Sequence, residues 1–279
     1  MSALTGRTIL IFTGPQYEDL ELWYPKLRLE EEGARTIVAG LARETYHGKH
    51  GYPSTPDATV DEISSGDVDG LVGGFKRTYP DSVRPALQVL GLAPGIKVAV
   101  GMYMMVLQNS VKFFGDTVFN IAPDAEQLAD IAVQMADAVA GLGVTPRVAM
   151  ISYSNFGSVR HPDVDRMVEA LAIARSRRPE LEIDGEMQPE IALDEERRRE
   201  IFPFSTLTRN ANVLVFGSLA AGNAAYQTLE CLGGGAAVGP ILLGVSRPVS
   251  LLQNESTVDD VVNMTAYTVT RAQLALHRP

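Results

Sequence analysis

Apolar residues follow two alternating rhythms along the chain. Short uninterrupted runs such as Thr8–Phe12 (TILIF), Arg147–Tyr153 and Val213–Phe216 have the length and composition of buried strands. Thr36–Ala39, Gly70–Val72, Lys97–Val100, Val111–Phe114, Leu181–Ile183 and Pro240–Leu243 read the same way. Longer stretches between them place apolar positions three and four apart, the helical period. Asp19–Glu32 carries Leu20, Trp23 and Leu27 at that spacing and meets Gly33, a natural stop. Ala125–Leu142 puts Leu128, Ile131, Ala132, Met135 and Val139 on one face and ends at Gly143. Asp163–Arg178, Gly222–Leu232 and Thr257–Leu276 complete the predicted helices. Strand–helix alternation of this kind predicts an α/β fold, mostly parallel sheet with helices on both faces. Ligands of such sheets sit beyond the carboxyl ends of the strands. The loops after Phe12, Val72, Tyr153, Phe216 and Leu243 are therefore the places to look.

Composition narrows the classes. The 24 Lys and Arg against 34 Asp and Glu give a formal charge of −10, which predicts no face for nucleic acid. The charge-free stretch from Asn210 to Leu229 holds Asn210, Asn212, Asn223 and Gln227, poor company for hydrocarbon, so no membrane partner is expected. The apolar run at the N-terminus is a strand-length core segment rather than a signal sequence. Cys231 is the only cysteine, so neither an intrachain disulfide nor a cysteine metal cluster is available. A reducing, cytoplasmic setting follows, with no metal and no required cofactor expected. Gly48–Pro56 and Ser64–Asp67 are weak boundary candidates without linker composition.

Two resemblances meet inside the chain. ILIFTGPQYEDLELWYPKLRLEEEGARTIVAG, YHGKHGYPSTPDATVDEI and Val68–Phe75 (VDGLVGGF) resemble the PfpI-like family of intracellular proteases, glyoxalases and deglycases. Tyr17-Glu18-Asp19 and Gly48-Lys49-His50-Gly51-Tyr52 carry most of that likeness. The resemblance implies a flavodoxin-like βαβ start. It assigns Glu18 to the family's glutamate and Gly73-Gly74 to backbone donors of an oxyanion hole. The family's cysteine elbow, usually followed by histidine, is missing, because Cys231 is followed by Leu232. Without a nucleophile this chemistry has no centre, and Glu18 reads as a carboxylate near a helix start in preference to a catalytic vestige.

From about Asp67 the chain is similar to the phosphotransacetylase fold, an isocitrate-dehydrogenase-like architecture. More narrowly it resembles the C-terminal phosphotransacetylase-like domain of bacterial hybrid NADP-dependent malic enzymes. The carrying segments include VDGLVGGFKRTYPDSVRPALQVLG, RVAMISYSNFGSVRHPDVD, RRPELEIDGEMQPEIAL, ANVLVFGSLAAGNAAYQTL and GPILLGVSRPV. The two likenesses change over at Val68–Gly74, where both have a strand followed by glycine. This divides the chain into a PfpI-like fragment, 1–66, and a phosphotransacetylase-like domain, 67–279. It reads as a chimera, natural, designed or an assembly artefact.

The resemblance implies a site for a CoA thioester and phosphate. Phosphate recognition wants helix N-termini, small hydroxyls and arginine. Ser152–Ser158, with Ser154, Asn155, Gly157 and Ser158, has the composition of an anion or thioester cradle, or of a plain capped loop into the next helix. Arg84 would contact phosphate or form a surface ion pair, and Asn223 would touch ligand or cap its helix. Asp184-Gly185-Glu186 would line the crevice or form a plain turn, and His161 would open a helix before Pro162. Active relatives carry Ser-Arg-Gly before the last helix. Here Gln253, Asn254 and Glu255 stand in those places, and Asp260 alone survives from the catalytic set, as a vestige. Losing an arginine that neutralises transition-state charge costs orders of magnitude in rate.

The expected function is accordingly a catalytically degenerate domain that binds acetyl-CoA and supports regulation and homo-oligomer assembly, as a dimer or higher. An active phosphate acetyltransferase, a non-enzymatic chimeric scaffold and a PfpI-like glyoxalase are the alternatives.

Overall fold

The computed structural model describes residues 4–74, 79–233, 235–252, 263–268 and 270–271. In chain order the elements are β1 (Thr8–Phe12), α1 (Asp19–Glu31), β2 (Arg35–Gly40), β3 (Tyr46–His47), β4 (Pro53–Ser54), β5 (Ala58–Thr59), β6 (Gly70–Gly74) and α2 (Tyr79–Leu90). There follow β7 (Val100–Leu107), β8 (Ser110–Gly115), α3 (Ala125–Gly141), β9 (Val148–Ile151), α4 (Pro162–Arg177) and β10 (Ile183–Met187). The chain continues through α5 (Pro189–Leu193), α6 (Glu195–Ile201), β11 (Val213–Phe216), α7 (Leu219–Gly233), β12 (Ala236–Leu243) and β13 (Val249–Leu252). Residues 263–268 are helical. No helix among the described residues is long and apolar enough to cross a membrane.

Two compact units are formed. One takes the described residues up to Gly95 and from Gly239 onward; the other is Ile96–Val238. In the first, the strands run in the order β12-β13-β6-β1-β2-β5. All neighbours are parallel except β12 and β13. Ile9, Leu10, Ile11, Leu71, Val72 and Leu251 are fully buried, as expected of strands covered on both faces. Beside this sheet, β3 and β4 form a small hairpin. Its turn is closed by bonds from Gly48 N to Tyr52 O (2.8 Å) and from Gly51 N to Gly48 O (2.9 Å). Gly51 sits at φ +90°, a conformation that favours glycine.

In the second unit the order is β10-β9-β11-β8-β7, parallel apart from the β7–β8 hairpin. Helix α3 covers it with the predicted face, Leu128, Ile131, Ala132, Met135 and Val139, all with no measurable exposure. Its start is a reciprocal cap between Asp124 and Gln127.

Several elements differ from the sequence reading. The strand expected at Lys97–Val100 begins at Val100 and runs to Leu107, because pairing with β8 overrides the weak strand preference of Gly101 and the methionines. Leu181–Ile183 shifts to Ile183–Met187, so Asp184-Gly185-Glu186 is the interior of a buried strand and not a turn. Helix α7 starts a turn earlier than Gly222, which removes Asn223 from the capping position. Helix α2 and strand β13 were not expected; Pro80 and Pro85 obscure the first.

Candidate functional site

At the carboxyl end of β9 the chain enters the Ser152–His161 loop. Phe156 (φ +47°) and Gly157 (φ +81°) are both left-handed there, which folds the loop back over β10. Phe156 N donates to Glu186 O and Gly157 N to Glu186 Oε1, each at 2.8 Å. Asn155 N donates to Ser158 Oγ (3.0 Å), Ser158 N to Asn155 O (3.0 Å) and Val159 N to Ser154 Oγ (3.1 Å). Asn155 and Gln188 form a reciprocal pair: Asn155 Nδ2 donates to Gln188 Oε1 and Gln188 N to Asn155 Oδ1, both at 2.8 Å. Every backbone N–H from Asn155 to Val159 thus has an internal partner. Ser154 is fully buried, while Gly157 and Ser158 are exposed on the rim with Tyr153 and Arg160. The composition that suggested an open cradle serves here to lock the loop's shape.

Glu186 underlies this loop, 1% exposed, and its Oε2 has no hydrogen-bond partner among the described residues. Asp184, two residues earlier, is saturated. It accepts from Arg175 Nη2 (2.8 Å), Ser205 Oγ (2.7 Å), Thr206 N (2.7 Å) and Gly185 N (3.0 Å). Asp184 therefore ties β10 to the 205–206 segment, and Glu186 is the one whose carboxylate retains capacity.

The neighbouring loops are clamped in similar fashion. Buried Asp116 after β8 accepts from Gly101 N (3.0 Å), Val118 N (3.0 Å) and Asn120 N (2.8 Å). Asn223 Nδ2 donates to Thr117 O at 3.3 Å, so Asn223 joins α7 to that loop instead of capping its own helix. A Cβ on Gly222 would lie 2.6 Å from Asp116 O, so only glycine permits this approach. Arg166 of α4 reaches Gly217 O (3.2 Å) beyond β11 and pairs with Asp163. His161 caps α4, accepting from Asp163 N at 3.2 Å, as its position before Pro162 suggested.

A second cluster lies at the carboxyl end of β1. Glu18 precedes α1, 3.4 Å from Lys49 Nζ and 3.6 Å from His50 Nε2. Buried Asp19 accepts from His50 N (2.7 Å) and Tyr52 N (3.2 Å), fastening the hairpin turn to the helix. Burial pushes the Glu21 carboxyl up to about 7, helped by Glu18 and opposed by Lys49. Gly73 and Gly74 pair with Leu251 and Leu252 inside the sheet, which sets them in a ladder and not in an open donor pair. Cys231 sits exposed in the last turn of α7, in the other unit from Glu18.

The structure brings Ser154, Asn155, Gly157 and Ser158 together and keeps Asn223 within the same unit. Arg84 lies on α2, its side chain outside the described residues; Gln253, Asn254 and Asp260 also lie outside them. Glu186 belongs to the Asp184-Gly185-Glu186 segment that the sequence offers as crevice lining or as a plain turn; Gln188, Arg166 and Glu21 are not singled out there as site residues. Glu21 was findable, because it stands four and eight residues before Pro25 and Leu29, both on the buried face of α1.

Comparison with known proteins bears on both resemblances. Residues 57–269 match the family described as phosphate acetyl/butaryl transferase, and residues 7–90 match the DJ-1/PfpI family. A phosphate acetyltransferase of Corynebacterium glutamicum is 41% identical over 210 residues, 75% of this chain and 64% of that protein. Another, from Nitratidesulfovibrio vulgaris, is 38% identical over 211 residues, 76% of this chain and 30% of that protein. The chain thus spans less than two thirds of the length of either relative. The crystal structure of a phosphotransacetylase from Streptococcus pyogenes superposes with a TM-score of 0.81 at 28% identity, covering 97% of this chain and 96% of that one. These matches correct the expectation of a catalytically degenerate, regulatory domain: the relatives are named for the transferase reaction itself.

Proposed function

From the premise that this chain belongs to the phosphate acetyl/butaryl transferase family, we propose that it catalyses acyl transfer between acetyl-CoA and inorganic phosphate. The observation that carries the reading is the family match over residues 57–269, with 41% identity to an enzyme of that name.

In this reaction a phosphate oxygen attacks the thioester carbonyl carbon. The tetrahedral oxyanion collapses, the C–S bond breaks, and acetyl phosphate and CoA leave, the thiolate taking up a proton. The protein must hold two anions and a developing oxyanion. In this proposal the rim residues Gly157 and Ser158 meet the ligand. Ser154, Asn155 and Asn223 hold the loops beneath in place. Arg84 binds phosphate, and Gln253 and Asn254 donate hydrogen bonds to it in place of the relatives' Ser-Arg. Asp260 handles the thiol proton.

Three narrower readings belong to the same proposal. The PfpI-like part, 1–66, is a replacement by recombination for the corresponding part of a phosphotransacetylase, and the overlap of the two family matches at residues 57–90 supports this. The segment likeness to hybrid malic enzymes marks the closer branch. Homo-oligomers and a cytoplasmic setting accompany the reading, the first supported by exposed Leu232 and Ala224 on α7 and the second by the single cysteine.

The test follows thiol release from acetyl-CoA on the purified chain. Release that depends on phosphate, with acetyl phosphate as product, is expected. Absence of release at saturating acetyl-CoA and phosphate overturns the proposal.

A further inference from the structure

We propose that Glu18, Asp19 and His50 form a binding site for a divalent transition ion of the zinc class. One ligand atom from each lies within 4.8 Å of the others, close enough for a single ion to reach all three after small side-chain rotations. An imidazole nitrogen with carboxylate oxygens suits zinc, with water completing the shell.

The site is built rather than incidental. Asp19 is 5% exposed and is oriented by the backbone N–H groups of His50 and Tyr52. Those bonds fix the hairpin turn that carries His50, in the way outer-shell hydrogen bonds orient metal ligands. Glu21 supplies an independent sign. It follows Glu18 by three residues, is 5% exposed, and has no hydrogen-bond partner for Oε2 among the described residues. The charges it faces are those of Glu18 and Lys49. Among the described residues, Lys49 Nζ lies 3.4 Å from Glu18 Oε2 and is the ammonium paired with this carboxylate. A bound ion would replace that ammonium and leave Lys49 free to swing outward, since its side chain is already 48% exposed.

The experiment titrates Zn²⁺ into chelator-stripped protein against a chromophoric competitor. One tightly held Zn²⁺ per chain is expected. Glu18→Gln and His50→Ala should each weaken it by about 10- to 100-fold. Lys49→Ala should tighten it, because the competing cation is gone. His161→Ala removes a second His–carboxylate pair, 3.4 Å across at Asp163, and should leave binding unchanged. Circular dichroism melts establish that each variant is folded. Absence of Zn²⁺ binding, or binding indifferent to Glu18→Gln and His50→Ala, overturns the proposal. So does loss of binding in His161→Ala.

Discussion

Val72 of β6 faces Ser250 of β13 across a parallel ladder. On its other edge β6 pairs with β1, Val72 lying opposite Ile11. The strand where the two sequence resemblances meet is thus inserted between an element of each. A core shared in this way is continuous, and neither part of the first unit buries its apolar face without the other.

Truncating Val72 should therefore weaken the whole unit. It is fully buried between Ile11 and Ser250. Val72→Ala should cost about 2 kcal/mol, read as a lower denaturant midpoint with unchanged slope. A change below about 0.5 kcal/mol would show that the seam is not packed as described.

Glu186 should control the loop above it. Glu186→Ala leaves Gly157 N without its carboxylate acceptor, a loss of about 1 kcal/mol for a part-buried hydrogen bond on the rim. Phosphate-dependent thiol release should fall with it. Glu186→Gln keeps an acceptor oxygen and should retain more of the rate. Equal rates for the three proteins would remove Glu186 from the site.

The Gln253-Asn254 pair offers a gain-of-function test. Restoring serine and arginine there supplies a fixed positive charge for the reacting anions. The double variant Gln253→Ser/Asn254→Arg should raise the turnover of phosphate-dependent thiol release by about 100-fold or more. An unchanged or lower rate would show that transition-state charge is met elsewhere.

Alkaline stability should depend on Tyr267. Burial pushes its hydroxyl from 10.0 up to about 12, slightly opposed by Arg271. The folded state therefore holds this proton more tightly than the unfolded chain. Its contribution is complete below pH 10 and is lost as pH rises through about 12, an effect of roughly 2–3 kcal/mol. The hydroxyl has no partner among the described residues, so Tyr267→Phe should be neutral or stabilising at pH 7 and should abolish this part of the alkaline loss. Parallel stability curves for both proteins between pH 9 and 12 would refute the assignment.

Much of the fold was legible because burial on both faces writes itself as uninterrupted apolar runs. Thr8–Phe12 and Val213–Phe216 fall where the sequence places them. Ala125–Gly141 is equally plain, since one apolar face and a cap are local signals. Strand β10 is displaced from the sequence reading because Asp184 and Glu186 are polar yet buried, their cost met by partners outside the strand, such as Ser205 and Gly157, more than twenty residues away along the chain. The loop after β9 was found from its composition, but its role was not. Whether a serine or a backbone amide is free depends on what it meets in three dimensions, and Glu186 arrives from β10 and Gln188 from the start of α5.

The closed network from Asn155 to Val159 has a kinetic consequence. A loop whose amides are already paired has surrendered its freedom before any ligand arrives. In the proposed acyl transfer, association at this loop then requires no ordering step, so its rate is set by encounter and desolvation, and affinity is not diluted by unproductive loop states. The same pairing shields those five amides from solvent, so in deuterated buffer they should exchange slowly and together, as one cooperative patch on an otherwise exposed rim.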